Sequence, residues 1–140
     1  MDSKAINCAG IIIENSKGEI LLQLRDEKVK DFPSHWVLLG GALENGESPE
    51  QTVKREIKEE IGIELDNLEH FKNFSYGPFN QSFFYKKIDL DLSEITLREG
   101  KEIRFCSKKD IPNLKFGFNI QEVVESFLSN SKWMKRKKQN

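Results

Sequence analysis

The sequence predicts an α/β or α+β sandwich, from three observations. Short apolar runs bounded by turn residues recur along the chain and read as strands. Two stretches repeat apolar residues every three to four positions and read as helices. The length of 140 residues suits one domain built from packed layers.

Residues 5–13 (Ala-Ile-Asn-Cys-Ala-Gly-Ile-Ile-Ile) read as a buried strand. Asn15-Ser16-Lys17-Gly18 is a turn signal, and residues 19–25 read as the returning strand. Residues 26–35 are polar and end in Phe32-Pro33-Ser34-His35, so they read as a loop. Trp36 to Leu39 read as a short strand ending at Gly40-Gly41. Residues 48–61 carry the clearest helix signal. Ser48 suits the N-cap, Pro49 the first helical position, and Gln51 the third position of a capping box. Val53, Ile57 and Ile61 form an apolar stripe, and Gly62 is a C-terminal stop. Strands follow near 68–75, 81–90 and 102–106, with Tyr76 to Asn80 as a turn between two of them. A second helix is expected at 120–129, capped by Asn119, with Ile120, Val123, Val124, Phe127 and Leu128 on its apolar side.

The charges nearly cancel, 22 Lys+Arg against 23 Asp+Glu, which excludes a globally basic nucleic-acid binder. Their distribution is uneven. Lys132, Lys135, Arg136, Lys137 and Lys138 crowd the last ten residues with no acid among them, leaving the first 130 residues at −6. Residues 1–130 are therefore read as the domain and 131–140 as a basic, flexible tail. Cys8 and Cys106 sit in strand-like runs, too few for a disulfide framework, and read as reduced core residues. No apolar run approaches the roughly 20 residues of a membrane span. Met1-Asp2-Ser3-Lys4 lacks a signal-peptide pattern. A cytoplasmic protein with no membrane partner is expected.

The chemistry concentrates in one segment. On the 48–61 helix, Glu56, Glu59 and Glu60 stand at i, i+3 and i+4, on one face. Like charges at that spacing destabilise a helix unless a cation compensates. Carboxylate oxygens at that density suit a hard divalent ion, Mg²⁺ above all, although a solvated acidic face is ordinary for a helix taken alone. Gly40-Gly41 allows close backbone approach to a ligand or ion. Glu47 and Arg55, eight residues apart, suit an ion pair that shapes the loop.

This segment resembles the Nudix box, Gly-x5-Glu-x7-Arg-Glu-U-x-Glu-Glu-x-Gly-U, where U is a bulky aliphatic residue. Gly41, Glu47, Arg55, Glu56, Ile57, Glu59, Glu60, Gly62 and Ile63 fill every defined position. Ordinary residue usage would produce this match at a given start position with a chance on the order of 10⁻⁹. Leu39 stands where many family members have proline, and so keeps an N–H.

The resemblance implies a mixed β-sheet packed between helices. It also implies a hydrolase acting on phosphoric anhydride bonds, which cleaves a nucleoside diphosphate linked to another moiety by water attack at phosphorus. By resemblance, Glu59 and Glu60 are the main metal ligands, Glu56 a ligand or general base, and the Gly40 carbonyl and Glu99 further ligands, with Glu102 as the runner-up to Glu99. The ion would be Mg²⁺, with Mn²⁺ as a substitute. Glu47, Arg55 and Gly62 are structural parts of the motif. Arg25 is a candidate phosphate partner, and Gly41 and Phe79 are candidate substrate contacts. Phe32, Trp36, Tyr76 and Phe83 are further aromatics near loops or strand ends, and His35 lies beside Trp36.

Nucleoside triphosphates rank first as substrates, then nucleotide sugars, then dinucleoside polyphosphates or RNA 5′ ends. The competing class is a nucleotide-sensing module without catalysis, against which stands the complete set of box carboxylates. Nucleic acid is not the expected partner. A homodimer accords with family habit, but no residue argues for it.

Overall fold

A computed structural model describes residues 5–130. The basic tail expected at 131–140 lies outside the described residues. Among the described residues, seven strands form one mixed sheet and two α-helices pack on it. They are β1 (Ile6–Glu14), β2 (Ile20–Leu24), β3 (Trp36–Val37), β4 (Leu39–Ala42), β5 (Glu69–Tyr76), β6 (Phe79–Lys87) and β7 (Glu102–Cys106), with α1 (Pro49–Ile61) and α2 (Ile120–Ser129).

β1 is the centre. On one edge it runs parallel to β6, from Ile6 opposite Phe79 to Glu14 opposite Lys87. On the other edge its first half pairs antiparallel with β4, from Cys8 opposite Ala42 to Ile11 opposite Leu39. Its end meets β2 at Glu14 and Ile20. β2 in turn pairs with β3 and β7. The sheet thus forks beside β1, with β4 on one branch and β2, β3 and β7 on the other.

Both faces of the sheet are covered, which explains why β1 reads as a continuous apolar run rather than an alternation. Ile12, Leu22 and Phe83 face a core cluster completed by Val123, Val124 and Phe127 of α2. Ile11, Ile13, Leu21 and Phe84 face a second cluster completed by Val53, Ile57 and Ile61 of α1. The three α1 residues are at most 3 % exposed, each contributing about 1.5–3 kcal/mol of burial. The architecture is the predicted mixed sheet between helices.

The boundaries differ from the sequence reading in instructive places. The strand expected at 36–39 is two strands. Trp36 and Val37 pair with β2, whereas Leu39 onward pairs with β1, so the chain changes branch at Leu38. β6 begins at Phe79 because Gly77, with φ of 54°, lets a two-residue turn at Gly77-Pro78 return the chain at once.

The Ser48 capping box forms in full, with Gln51 N–H donating to Ser48 Oγ and Ser48 N–H to Gln51 Oε1. Asn119 occupies the N-cap position of α2 but its side chain does not cap. Its amide instead exchanges two hydrogen bonds with Gln81 of β6, at 2.7 and 2.9 Å. Cys106 is buried as expected, but Cys8 is only half-buried and lines a cleft.

Candidate active site

The site gathers at the fork of the sheet, where α1, β4 and the loop before β7 converge. α1 is oriented by its own ends. Gly62 terminates it in the left-handed conformation, and its N–H donates to Lys58 O at 3.0 Å. At the other end Glu47 ties the preceding loop down. It accepts from Glu44 N at 2.8 Å, from Thr52 Oγ1 at 2.7 Å and from Arg55 Nε at 2.7 Å. Arg55, with Glu44's amide, holds the Glu47 carboxyl down to about 2.

Arg55 is the hub of this lattice. Its guanidinium also donates to Glu56 Oε1 at 3.0 Å, to Glu59 Oε2 at 3.2 Å and to the Ala42 carbonyl at 3.2 Å. It therefore fastens α1 to β4 and screens three box carboxylates from one another.

Glu56, Glu60 and Glu99 each bring a carboxylate oxygen to a common point, all within 4.8 Å of one another. Glu60 is 3 % exposed, and its Oε2 is buried with no hydrogen-bond partner. Burial, reinforced by the facing charges of Glu56 and Glu99, pushes its carboxyl up to about 9. Burial raises Glu56 as well. A buried carboxylate oxygen with no donor, facing two more carboxylates, is an unfavourable arrangement without a cation. The donor set is all hard oxygen, which fits Mg²⁺ or Mn²⁺.

Glu59 does not join this group. Its side chain is 57 % exposed and pairs with Arg55. Glu102 lies in β7 and pairs with Arg104, 2.8 Å away.

The two glycines ahead of the helix explain how α1 comes so close. A side chain at Gly40 would collide with the Ala9 carbonyl and come within 2.6 Å of the Gly10 Cα, and its φ of 153° disfavours any L side chain. A Cβ at Gly41 would lie 2.5 Å from Glu56 Oε1, so the Glu56 carboxylate occupies the space that a side chain would take.

A cleft of about 730 Å³ opens beside the carboxylates, with Glu60 and Glu99 in its wall. Gly40, Gly41, Arg25 and Phe79 line it too. Arg25 donates from Nε to the Asp31 carbonyl and stacks over Phe118, 5.2 Å from the ring centroid. Phe32 and Tyr76 also pack on Phe118. Trp36 and Phe83 are buried in the core, and Phe83 also lines the cleft. His35 is bound to the Pro33 carbonyl, 2.7 Å away.

Gln23, Gln81 and Phe118 are among the cleft residues that the sequence reading did not single out. Gln23 had a signal, being the polar residue in the apolar run Ile20–Leu24. Phe118 had none, because its place depends on a left-handed backbone, φ 53°, just before α2.

A family model described as the NUDIX domain matches residues 5–127. The chain belongs to the Nudix family. A Haemophilus influenzae Nudix relative named 8-oxo-dGTP diphosphatase is 39 % identical over 104 residues, covering 73 % of this chain and 76 % of the relative. A Nudix hydrolase of Listeria innocua is 33 % identical over 111 residues, covering 75 % of this chain. The match spans 65 % of that Listeria protein's own length. Among solved structures, a MutT structure from a study of the Aliivibrio salmonicida and Vibrio cholerae proteins superposes with a TM-score of 0.74 at 30 % identity. That match covers 88 % of this chain and 96 % of the MutT chain. Among the described residues, no helix is long and apolar enough to cross a membrane.

Proposed function

We propose that residues 1–130 form a divalent-metal-dependent pyrophosphohydrolase that cleaves a nucleoside diphosphate linked to another moiety, a nucleoside triphosphate first and a nucleotide sugar second. The observation that carries this reading is the Glu56, Glu60 and Glu99 cluster in and beside a cleft large enough for a nucleotide. Glu56, Glu60 and Glu99 would hold the metal. Mg²⁺ held there would supply charge neutralisation at the pyrophosphate and a more nucleophilic water.

The chain's own residues supply the rest. Arg55 keeps Glu56 and Glu59 in place on α1. Glu56 either completes the metal's oxygen shell or takes a proton from the attacking water. Arg25 brings a fixed cation into the cleft for a substrate phosphate. The apolar and aromatic wall, including Phe79 and Phe118, suits the flat face of a base. The 8-oxo-dGTP diphosphatase relative supports placing nucleoside triphosphates, oxidised purine forms among them, at the head of the ranking.

The test is a panel of nucleoside triphosphates, nucleotide sugars, dinucleoside polyphosphates and 5′-capped RNA, assayed with Mg²⁺ and with Mn²⁺. Turnover of at least one is expected, with products that show which phosphorus is attacked. Glu60→Gln should lower kcat by about 10²–10³ or more, the scale of losing one charge-stabilising group. Saturable nucleotide binding with no turnover anywhere in the panel would make the chain a sensing module instead.

A further inference from the structure

Gln23 is the one polar side chain in β2, and it is 6 % exposed. It falls in the same row as Leu21, which packs against α1. An aliphatic residue would continue that row, and burying an amide is unfavourable unless its polar atoms are bonded. Its bond is specific. Gln23 Nε2 donates to the Glu99 carbonyl at 2.7 Å.

The neighbouring residue is fitted to this contact. Gly100 has φ of 84°, and a Cβ there would lie 2.7 Å from Gln23 Nε2. The amide therefore lies against the Glu99–Gly100 backbone in space that only a glycine leaves open. Two further bonds hold the same loop, Arg98 N–H to the Glu60 carbonyl and Lys101 N–H to the Leu24 carbonyl, each at 2.9 Å. Both lie outside the Glu99–Gly100 pair. Glu99 itself is exposed, so packing does not fix its carboxylate.

We infer that Gln23 is a positioning residue, whose amide clamps the Glu99 peptide so that the Glu99 carboxylate meets those of Glu56 and Glu60. This rests on reading the three carboxylates as a divalent-cation site. Partners that orient a ligand rather than bind the ion typically matter 10–100-fold in affinity, roughly the effect expected here.

The experiment measures Mn²⁺ affinity of the full chain by electron paramagnetic resonance, alongside melting in EDTA. Gln23→Leu should weaken Mn²⁺ binding by about 10–100-fold while leaving the EDTA melting temperature near that of the parent. Gln23→Met, which keeps the side-chain length and removes the donor, should give the same loss and serves if Gln23→Leu does not fold. Gln23→Leu combined with Glu99→Gln should bind no more weakly than Glu99→Gln alone, because both remove one ligand. Parent-like Mn²⁺ affinity in either Gln23→Leu or Gln23→Met, or losses that multiply in the double variant, would overturn the inference. Unchanged affinity in both Glu60→Gln and Glu99→Gln would instead overturn the metal site on which it rests.

Discussion

Glu60 shows how one residue holds opposite demands. Its place on α1 buries it against the sheet, yet its carboxyl must be ionised to hold a cation. In the metal-free protein its pKa of about 9 lies above the ordinary carboxylate value of 4.5. The folded state then binds a proton that the unfolded chain releases. The stability linked to Glu60 is therefore full below about pH 4.5 and is lost as pH rises toward about 9. Glu60→Gln removes this liability. In EDTA the variant should melt above the parent at pH 8–9, with the gap closing near pH 5, as thermal scans across that range would show. The same variant should lose activity in Mg²⁺. A site residue that destabilises the empty fold and is required for the filled one is the pattern expected of function over stability.

At the scale of elements, β4 and α1 depend on two adjacent glycines for different reasons. Gly40 lies against the backbone of β1, whereas Gly41 lies against the Glu56 carboxylate. Gly40→Ala should therefore break the β1–β4 pairing and cost about 2 kcal/mol or more, measured by urea denaturation. Gly41→Ala adds a methyl where a side-chain end can move aside. It should cost little stability but displace Glu56, lowering kcat by roughly 10–100-fold. Equal destabilisation by the two variants would count against this division. The Leu39 that replaces a common proline does not disturb the element, since Leu39 enters the ladder opposite Ile11.

For the whole molecule, the three carboxylates come from two distant parts of the chain, α1 and the loop before β7. Binding a cation there ties these parts together in the native state only. Mg²⁺ at about 100 times its Kd should add roughly 2.7 kcal/mol, since the unfolded chain holds no preformed site. For a chain of this length that is a rise of roughly 8 °C in Tm, reversed by EDTA and readable by calorimetry. The segment 88–97 carries the chain across the α1 side, with Leu90, Leu92, Ile95 and Leu97 packed there, before it delivers Glu99 to the site. A cation held there would couple its binding to fold stability across the sheet rather than within one helix.

Neighbouring residues alone specify the two helices, most strand positions and the box. These are local signals: a capping box at Ser48, a stripe at Val53, Ile57 and Ile61, and charges three and four residues apart. Such local signals do not say which carboxylates converge. Glu56, Glu59 and Glu60 are equivalent in helical spacing, but only a tertiary frame distinguishes the buried Glu60 from Glu59, drawn outward to Arg55. Nor do they say that Asn119 bonds Gln81 rather than capping α2, or that β1 runs parallel to β6. Helical periodicity is written in neighbouring residues, whereas burial and partner choice depend on contacts between residues far apart in the chain. Gln23 and Glu99, 76 positions apart, meet only because β2 and β7 are paired in the same sheet.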